Sequence, residues 1–328
     1  MQALICHQFG PIECLSLEEV ASPTVQDNQV LVKVMAASVN FPDALIVQGL
    51  YQMKPAFPFS PGAELAGEII QVAPNVKDWQ VGDRVIASSG YGAFAQECLV
   101  DASKLMPLPE VMSYELGSAF VLTYGTSLHA LKECAQLQPG ETVLILGAAG
   151  GVGIAAIEIA KQMGAIVIAA ASSEAKRELC LEVGADHAID YTQTDWRKQV
   201  EALTAGRGVD VVYDAVGGPY SEIALRATAW RGRYLVVGFA AGEIPKIPLN
   251  LALLGERKIL GVFWGQAVRT YPEVHKANMS ILLDWFTQGK IKPAITQRVT
   301  LNQAKQAIQD LADRKVQGKI VVLPNSTS

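Results

Sequence analysis

The chain has 328 residues, half of them hydrophobic, with a formal net charge of −5 and no run rich in Lys and Arg. That is enough apolar material for two domains of about 150 residues each, and it lacks the basic surface that nucleic-acid binding demands. The five cysteines, Cys6, Cys14, Cys98, Cys134 and Cys180, include no C-x-x-C pair, so neither a disulfide framework nor a zinc knuckle is expected. No basic segment precedes an apolar one at the N-terminus, and the apolar stretch 142–171 is interrupted by glycines, Glu158 and Lys161. Secretion and a membrane span are therefore not expected, and a cytoplasmic location is.

Residues 1–120 read as short strands separated by Pro- and Gly-containing turns: 30–39, 64–73, 83–88 and 94–100. This texture predicts a mostly antiparallel, barrel-like unit. From about residue 140 the rhythm changes. A strand at 142–146 leads into a helix at 154–163 that stops at Gly164. A strand at 165–171 and a helix from Glu174 to Val183 follow, then strands at 187–190, 209–216, 233–238 and 258–264. Short apolar runs alternating with helices predict a parallel sheet covered on both faces, an α/β architecture. The tail returns to β texture around an amphipathic segment at 301–315 and is expected to complete the first domain.

The stretch LILGAAGGVG at 144–153 follows a strand and opens a helix, the context in which a glycine loop grips a dinucleotide. Gly150 and Gly153 keep the last two glycines of G-x-G-x-x-G. Ala148 stands where the first would be, with Gly147 and Gly151 keeping the turn slim. Backbone N–H groups of a loop without side chains can approach a pyrophosphate, and the helix N-terminus adds its field. The alternative is a glycine turn that merely packs helix on strand. An NAD site would place an acid at the tip of the next strand. Here the chain reads Ala171-Ser172-Ser173-Glu174, followed by Lys176 and Arg177. Two hydroxyls and two cations in that place favour a 2′-phosphate, hence NADPH, unless the cations only form a solvated helix face.

ASVNFPDALIVQGLY, PGAELAG, VGDRV, LTYGTSLHAL, LGAAGGVG and GVFWG, in this order, resemble the medium-chain dehydrogenase/reductase superfamily, and within it the zinc-independent quinone oxidoreductase branch that includes zeta-crystallin. The resemblance spans essentially the whole chain. It implies a Rossmann doubly wound parallel sheet, over 123–266, and a GroES-like β-barrel catalytic domain assembled from 1–122 and 267–328. It also implies that Thr123 and Thr126 lie near the nicotinamide, Tyr191 beside the 2′-phosphate, and backbone groups of Phe239, Phe263, Trp264 and Gly265 on the carboxamide. Gly147, Ala149, Gly150, Gly151, Val152 and Gly153 would take the pyrophosphate, Ser172, Ser173 and Lys176 the 2′-phosphate, and Lys319 would contact the cofactor from the returning tail.

Asn40 and Ala63 stand where zinc-dependent relatives carry a cysteine and a histidine, and 101–120 contains no cysteine. Asp43 and Glu64 do not make up a ligand set, so no metal is expected. Without a Lewis acid, the acceptors that take hydride easily are those that delocalise the resulting charge, either quinones or the β-carbon of an enone. Tyr51 occupies the place where related enoyl-thioester reductases use a tyrosine, which makes it either a proton donor or oxyanion partner, or a pocket wall. Asn40 is expected to bond the nicotinamide ribose or substrate, unless the backbone satisfies it, and Asp43 to brace its loop. Val47 departs from relatives with an arginine there. His7, His129, His187 and His275 form no triad and are expected to be structural or solvated. Three readings follow: an NADPH:quinone oxidoreductase, an enone or enoyl-thioester reductase, and a non-catalytic NADPH-binding protein of crystallin or RNA-binding type. The acidic balance speaks against the RNA-binding form. The small-molecule substrate is expected to be a quinone or enone. The weakly charged strand at 258–264 is expected to join two copies as a homodimer.

Overall fold

The computed structural model describes residues 1–326, and the chain divides into two compact units. The first combines Met1–Leu122 with the segment from Pro293 onward, and the second is Thr123–Lys292. The boundary expected at 266/267 therefore moves to 292/293. The physical reason is that helix Pro272–Thr287 buries Met279 and Leu282 and ties itself to the second unit. Lys132 Nζ donates to Asn278 Oδ1 at 3.0 Å, Trp264 meets His275 edge-on at 5.6 Å, and the Lys292 N–H donates to Glu158 at 3.0 Å.

In the first unit, one sheet runs in the order Ile295–Thr300, Lys319–Leu323, Gln29–Ser38, Leu65–Val72, Arg84–Ala87, Leu105–Pro107, and Glu97–Asp101 pairs with Gln29–Ser38 as well. Only the two tail strands pair in parallel. Along Gln29–Ser38, Val30, Val32 and Val34 alternate into a core shared with Ile46, Ile69, Val85, Phe94, Ile308 and Ile320. The register against Leu65–Val72 shifts between Val34 and Ala36. Gly67 sits at that shift, where a β-carbon would lie 2.2 Å from the Lys33 carbonyl oxygen; glycine permits the close approach that bends the sheet. Helix Phe41–Val47 starts from a capping box in which Asn40 and Asp43 satisfy each other's backbone N–H. The tail strand pairs Val321 with Ser38, and the Val39 N–H donates to the Ile320 carbonyl at 3.0 Å. This pairing sets Lys319 beside Asn40.

In the second unit the sheet order is His187–Ile189, Ile166–Ala170, Thr142–Leu146, Val209–Asp214, Thr228–Val236, Lys258–Gly261, all parallel. Every residue of Thr142–Leu146 is buried, as a strand covered on both faces requires. The chain lays down the first three strands in one direction and the last three in the other. The order therefore reverses between Thr142–Leu146 and Val209–Asp214, the place where such sheets bind ligands beyond the carboxyl ends. The doubly wound expectation holds. The strand expected at 258–264 ends at Gly261, because the helix Trp264–Thr270 begins there, and it forms the sheet's edge. Among the described residues no helix is long and apolar enough to cross a membrane.

Candidate active site

The turn after Thr142–Leu146 is the Gly147–Gly153 loop. The left-handed residue is Gly147, at φ +70°, so Ala148 in the next place needs no such freedom. Ala148 is fully buried, and its N–H donates to the Ala170 carbonyl at 3.2 Å. This explains how the loop tolerates an alanine where the fingerprint has its first glycine. Gly153 has no such latitude, since a β-carbon there would stand 2.4 Å from the Gly147 oxygen and 2.6 Å from that of Ala148. Gly150 caps helix Gly151–Gln162 and brings no side chain of its own. The first-turn N–H groups of Gly151, Val152 and Gly153 have no intrahelical acceptor, which is the arrangement that accepts an anion. Ser127 braces the loop by donating to the Val152 carbonyl at 2.9 Å, and it meets the Tyr213 hydroxyl at 3.0 Å.

Most of the other expected cofactor residues belong to the same unit. Thr123 and Thr126 share the helix Val121–Leu128 with Gly125, over which the Trp264 ring lies; a β-carbon on Gly125 would be 2.8 Å from it. Phe263 and Gly265 flank Trp264 at the start of its helix. Phe239 packs on Gly217, which is held at φ +70°. Ser173 caps helix Glu174–Glu182, its hydroxyl accepting from the Lys176 N–H at 3.4 Å. Ser172 and Ser173 are exposed and Lys176 half-buried. Tyr191 is buried, its ring centroid 4.6 Å from that of Tyr220.

The structure also places an acid that the sequence reading missed. Arg177 pairs with Asp190 at 3.1 Å, so of the two expected cations one is already neutralised. Burial alone would raise the Asp190 carboxyl. The Thr192 hydroxyl and N–H, Gln193 and Arg177 outweigh it and hold the group below its usual value. A second omission is Asp214, buried at the end of Val209–Asp214. It accepts from the Val216 and Gly217 N–H groups at 2.8 Å each, from Ser221 Oγ at 2.7 Å and from the Tyr234 hydroxyl. The signal was present in DAVGG, since an aspartate two or three residues before a glycine pair is placed to close a turn.

In the first unit, Ser38, Asn40, Asp43, Glu64 and Lys319 form a buried polar cluster. Lys319 Nζ donates to Asn40 Oδ1 at 2.6 Å, to the Val39 carbonyl at 3.1 Å and to Glu64 Oε1 at 3.3 Å. Asn40 Nδ2 donates to Glu64 Oε1 at 3.0 Å and faces Ser38 at 3.2 Å. Glu64 also accepts from Ser38 Oγ at 2.5 Å and from the Leu122 N–H at 2.9 Å. All three ammonium protons of Lys319 are thus spent inside its own unit, and so is the amide of Asn40. Lys319 and Asn40 satisfy each other within the unit, because a buried amine needs its donors matched. Burial raises the Asp43 carboxyl to about 7, against the pull of the Asn40 N–H and Lys319 and with added repulsion from Glu64. Asp43 braces the loop as expected, accepting from the Asn40 N–H at 2.7 Å. Ser38 and Glu64 were missing from the expected site. Tyr51 is half-buried against the unit's core, just beyond Gly49 at φ +69°.

The family model described as Alcohol dehydrogenase GroES-like domain matches residues 26–110, and the one described as Zinc-binding dehydrogenase matches 151–279. Quinone oxidoreductase-like protein 2 of Mus musculus is 37% identical over 98% of this chain and 91% of its own. Escherichia coli quinone oxidoreductase complexed with NADPH superposes with a TM-score of 0.93 at 29% identity, covering 99% of this chain and 100% of the other. CurK enoyl reductase follows at 0.87 and 29%, with 98% of each chain covered. The chain therefore belongs to the zinc-independent quinone oxidoreductase branch of the medium-chain dehydrogenase/reductase superfamily.

Proposed function

We propose that the protein is an NADPH-dependent oxidoreductase that passes hydride to a small quinone without a metal. The observation that supports this best is the Gly147–Gly153 turn. Its glycines leave no room for side chains, and it presents helix N–H groups at the point where the strand order reverses. Those N–H groups would hold the pyrophosphate. Ser172, Ser173 and Lys176 would hold the 2′-phosphate beside Tyr191, and Thr123, Thr126, Phe239 and the Phe263–Gly265 backbone the nicotinamide end. NADPH, when bound, supplies the hydride. Asn40, Asp43, Glu64 and Lys319 position the chain at 39–43 rather than touching the reactants.

The similarity to an E. coli quinone oxidoreductase and to a murine quinone oxidoreductase-like protein favours a quinone acceptor. A second reading, reduction of an enone or enoyl thioester, is favoured by Tyr51 and by the likeness to CurK enoyl reductase. Oxidation of NADPH is to be followed with 1,4-naphthoquinone, 9,10-phenanthrenequinone, an alkenal and crotonyl-CoA side by side. Turnover of the quinones alone is expected. Turnover of crotonyl-CoA alone establishes the second reading, and binding of NADPH without any turnover defeats both. Tyr51→Phe should leave quinone turnover within twofold. A tenfold or larger fall in kcat with unchanged NADPH affinity would make Tyr51 a proton donor.

A further inference from the structure

The cysteines nearest the N-terminus form an arrangement to which the proposed chemistry assigns no task. Cys6 Sγ donates to the Gln8 carbonyl at 3.2 Å, and Cys14 Sγ lies 3.6 Å from the same oxygen. Cys14 is also a side-chain hydrogen-bond partner of Cys6 itself, which sets the two thiols next to each other. Cys6 is fully buried, and its backbone is fixed by reciprocal bonds with Phe59 of 2.8 and 3.1 Å. Cys14 ends the single turn Ile12–Cys14 and is partly exposed. Among the described residues the other cysteines offer no such pair: Cys98 and Cys180 are buried, and Cys134 faces His129.

We propose that Cys6 and Cys14 are a modification site, a dithiol that hydrogen peroxide converts reversibly to an intrachain disulfide. Cys14 meets the oxidant, since it alone of the two is open to solvent. Its thiolate attacks a peroxide oxygen, the O–O bond breaks, and with one proton the products are a Cys14 sulfenic acid and water. The Cys6 sulfur then attacks the Cys14 sulfur. The S–S bond forms as the S–O bond breaks, and the departing hydroxide takes up the Cys6 proton as a second water. Two thiols lose two electrons and two protons, and the peroxide gains them. Burial, reinforced by Cys14, pushes the Cys6 thiol up to about 11. Because the thiolate is the nucleophile, closure of the bridge accelerates as pH rises.

The bridge would join the ends of the loop that carries Phe9. That ring lies 4.6 Å from Phe57, and it sits where a β-carbon on Gly49 would be only 2.9 Å away. The Gly10 N–H donates to the Val47 carbonyl at 3.0 Å. Oxidation therefore acts on the backing of the segment that leads to Tyr51.

The test uses the full chain, treated with hydrogen peroxide, quenched by alkylation and read by intact-mass and peptide mass spectrometry. The expected result is loss of two hydrogens, a cross-link between the peptides of Cys6 and Cys14, and reversal by dithiothreitol. Closure should be at least threefold faster near pH 9 than near pH 7. Cys14→Ser, at a partly exposed position, should abolish the loss, as should Cys6→Ala if that variant folds. A Cys14 that gathers two or three oxygens with no cross-link overturns the proposal. So does an unchanged mass, or a loss of two hydrogens that persists in Cys14→Ser.

Discussion

At the scale of single residues, the cluster around Lys319 shows how a site position can change its chemistry while keeping its burial. Asn40 Oδ1, Glu64 Oε1 and the Val39 carbonyl all accept from the Lys319 side chain, whose pKa burial lowers against the pull of Glu64 and Asp43. Asp43 carries the cost, with its carboxyl raised from 3.8 to about 7 by burial. Between about pH 4 and pH 7 the unfolded chain ionises this group while the folded chain keeps it protonated. Stability therefore falls as pH rises through that window and levels off above it. At about 1.36 kcal/mol per pKa unit the fall due to Asp43 is about 4 kcal/mol. Asp43→Asn should shrink the stability difference between pH 5 and pH 8 by at least half that amount in urea unfolding, and an unchanged difference would refute the assignment. Glu158, also raised to about 7 by burial, keeps the remaining slope from vanishing. Gly153 gives a second prediction at this scale. With 2.4 Å to the Gly147 oxygen, Gly153→Ala must displace the turn. It should weaken NADPH binding at least tenfold by fluorescence titration while costing about 1–3 kcal/mol of stability; unaltered binding would show that the turn does not hold the pyrophosphate.

At the scale of elements, the beginning of helix Glu174–Glu182 is capped and is also where we propose that the 2′-phosphate binds. Ser173 caps it, so Ser173→Ala alone costs about 1 kcal/mol of helix stability and confounds any effect on cofactor choice. Lys176, in the first turn of the same helix, takes part in the cap only through its backbone N–H. Lys176→Ala is expected to raise KM for NADPH at least tenfold and KM for NADH less than twofold, because only NADPH offers the phosphate. Parallel losses for both nucleotides would place the 2′-phosphate elsewhere. Arg177, equally basic in the sequence, should matter less for this choice since Asp190 already pairs with it. The strand that ends at Asp214 follows the same logic. A carboxylate accepting four bonds fixes the turn Asp214–Gly217 beside the switch in strand order.

For the whole molecule, the edge strand Lys258–Gly261 leaves its outer hydrogen-bonding groups without a neighbour in the sheet. The preceding segment exposes Ile244, Leu249, Leu253 and Leu254, with Leu253 76% accessible. Apolar exposure beside an uncovered edge marks a surface for association, and we propose that a second copy covers it. Light scattering should give twice the chain mass, and Leu253→Glu should move the distribution toward the single chain. A single-chain mass for the unaltered protein would reject the pairing.

Periodicity and glycine placement were sufficient for much of this. Apolar runs at 142–146 and 211–213 must be buried wherever they lie, and Gly147, Gly150 and Gly153 announce a tight strand-to-helix turn in any context. These are local constraints, set by the period of a strand and the absence of a β-carbon, so the amino-acid order alone decided the fold class and the glycine turn. Partner choice among polar groups is decided by residues distant in the chain. The pairing of the tail strand with Gln29–Ser38 is what set Lys319 against Asn40 and Glu64. Arg177 looked free until the next strand brought Asp190 to it, and the helix Pro272–Thr287 joined the second unit only through its packing there. Cys6 and Cys14, unremarkable in spacing, became neighbours because one chain turn returns both sulfurs to a single carbonyl. Tertiary structure decides such pairings because a buried charge or thiol is governed by whatever the rest of the fold places within about 3–4 Å of it.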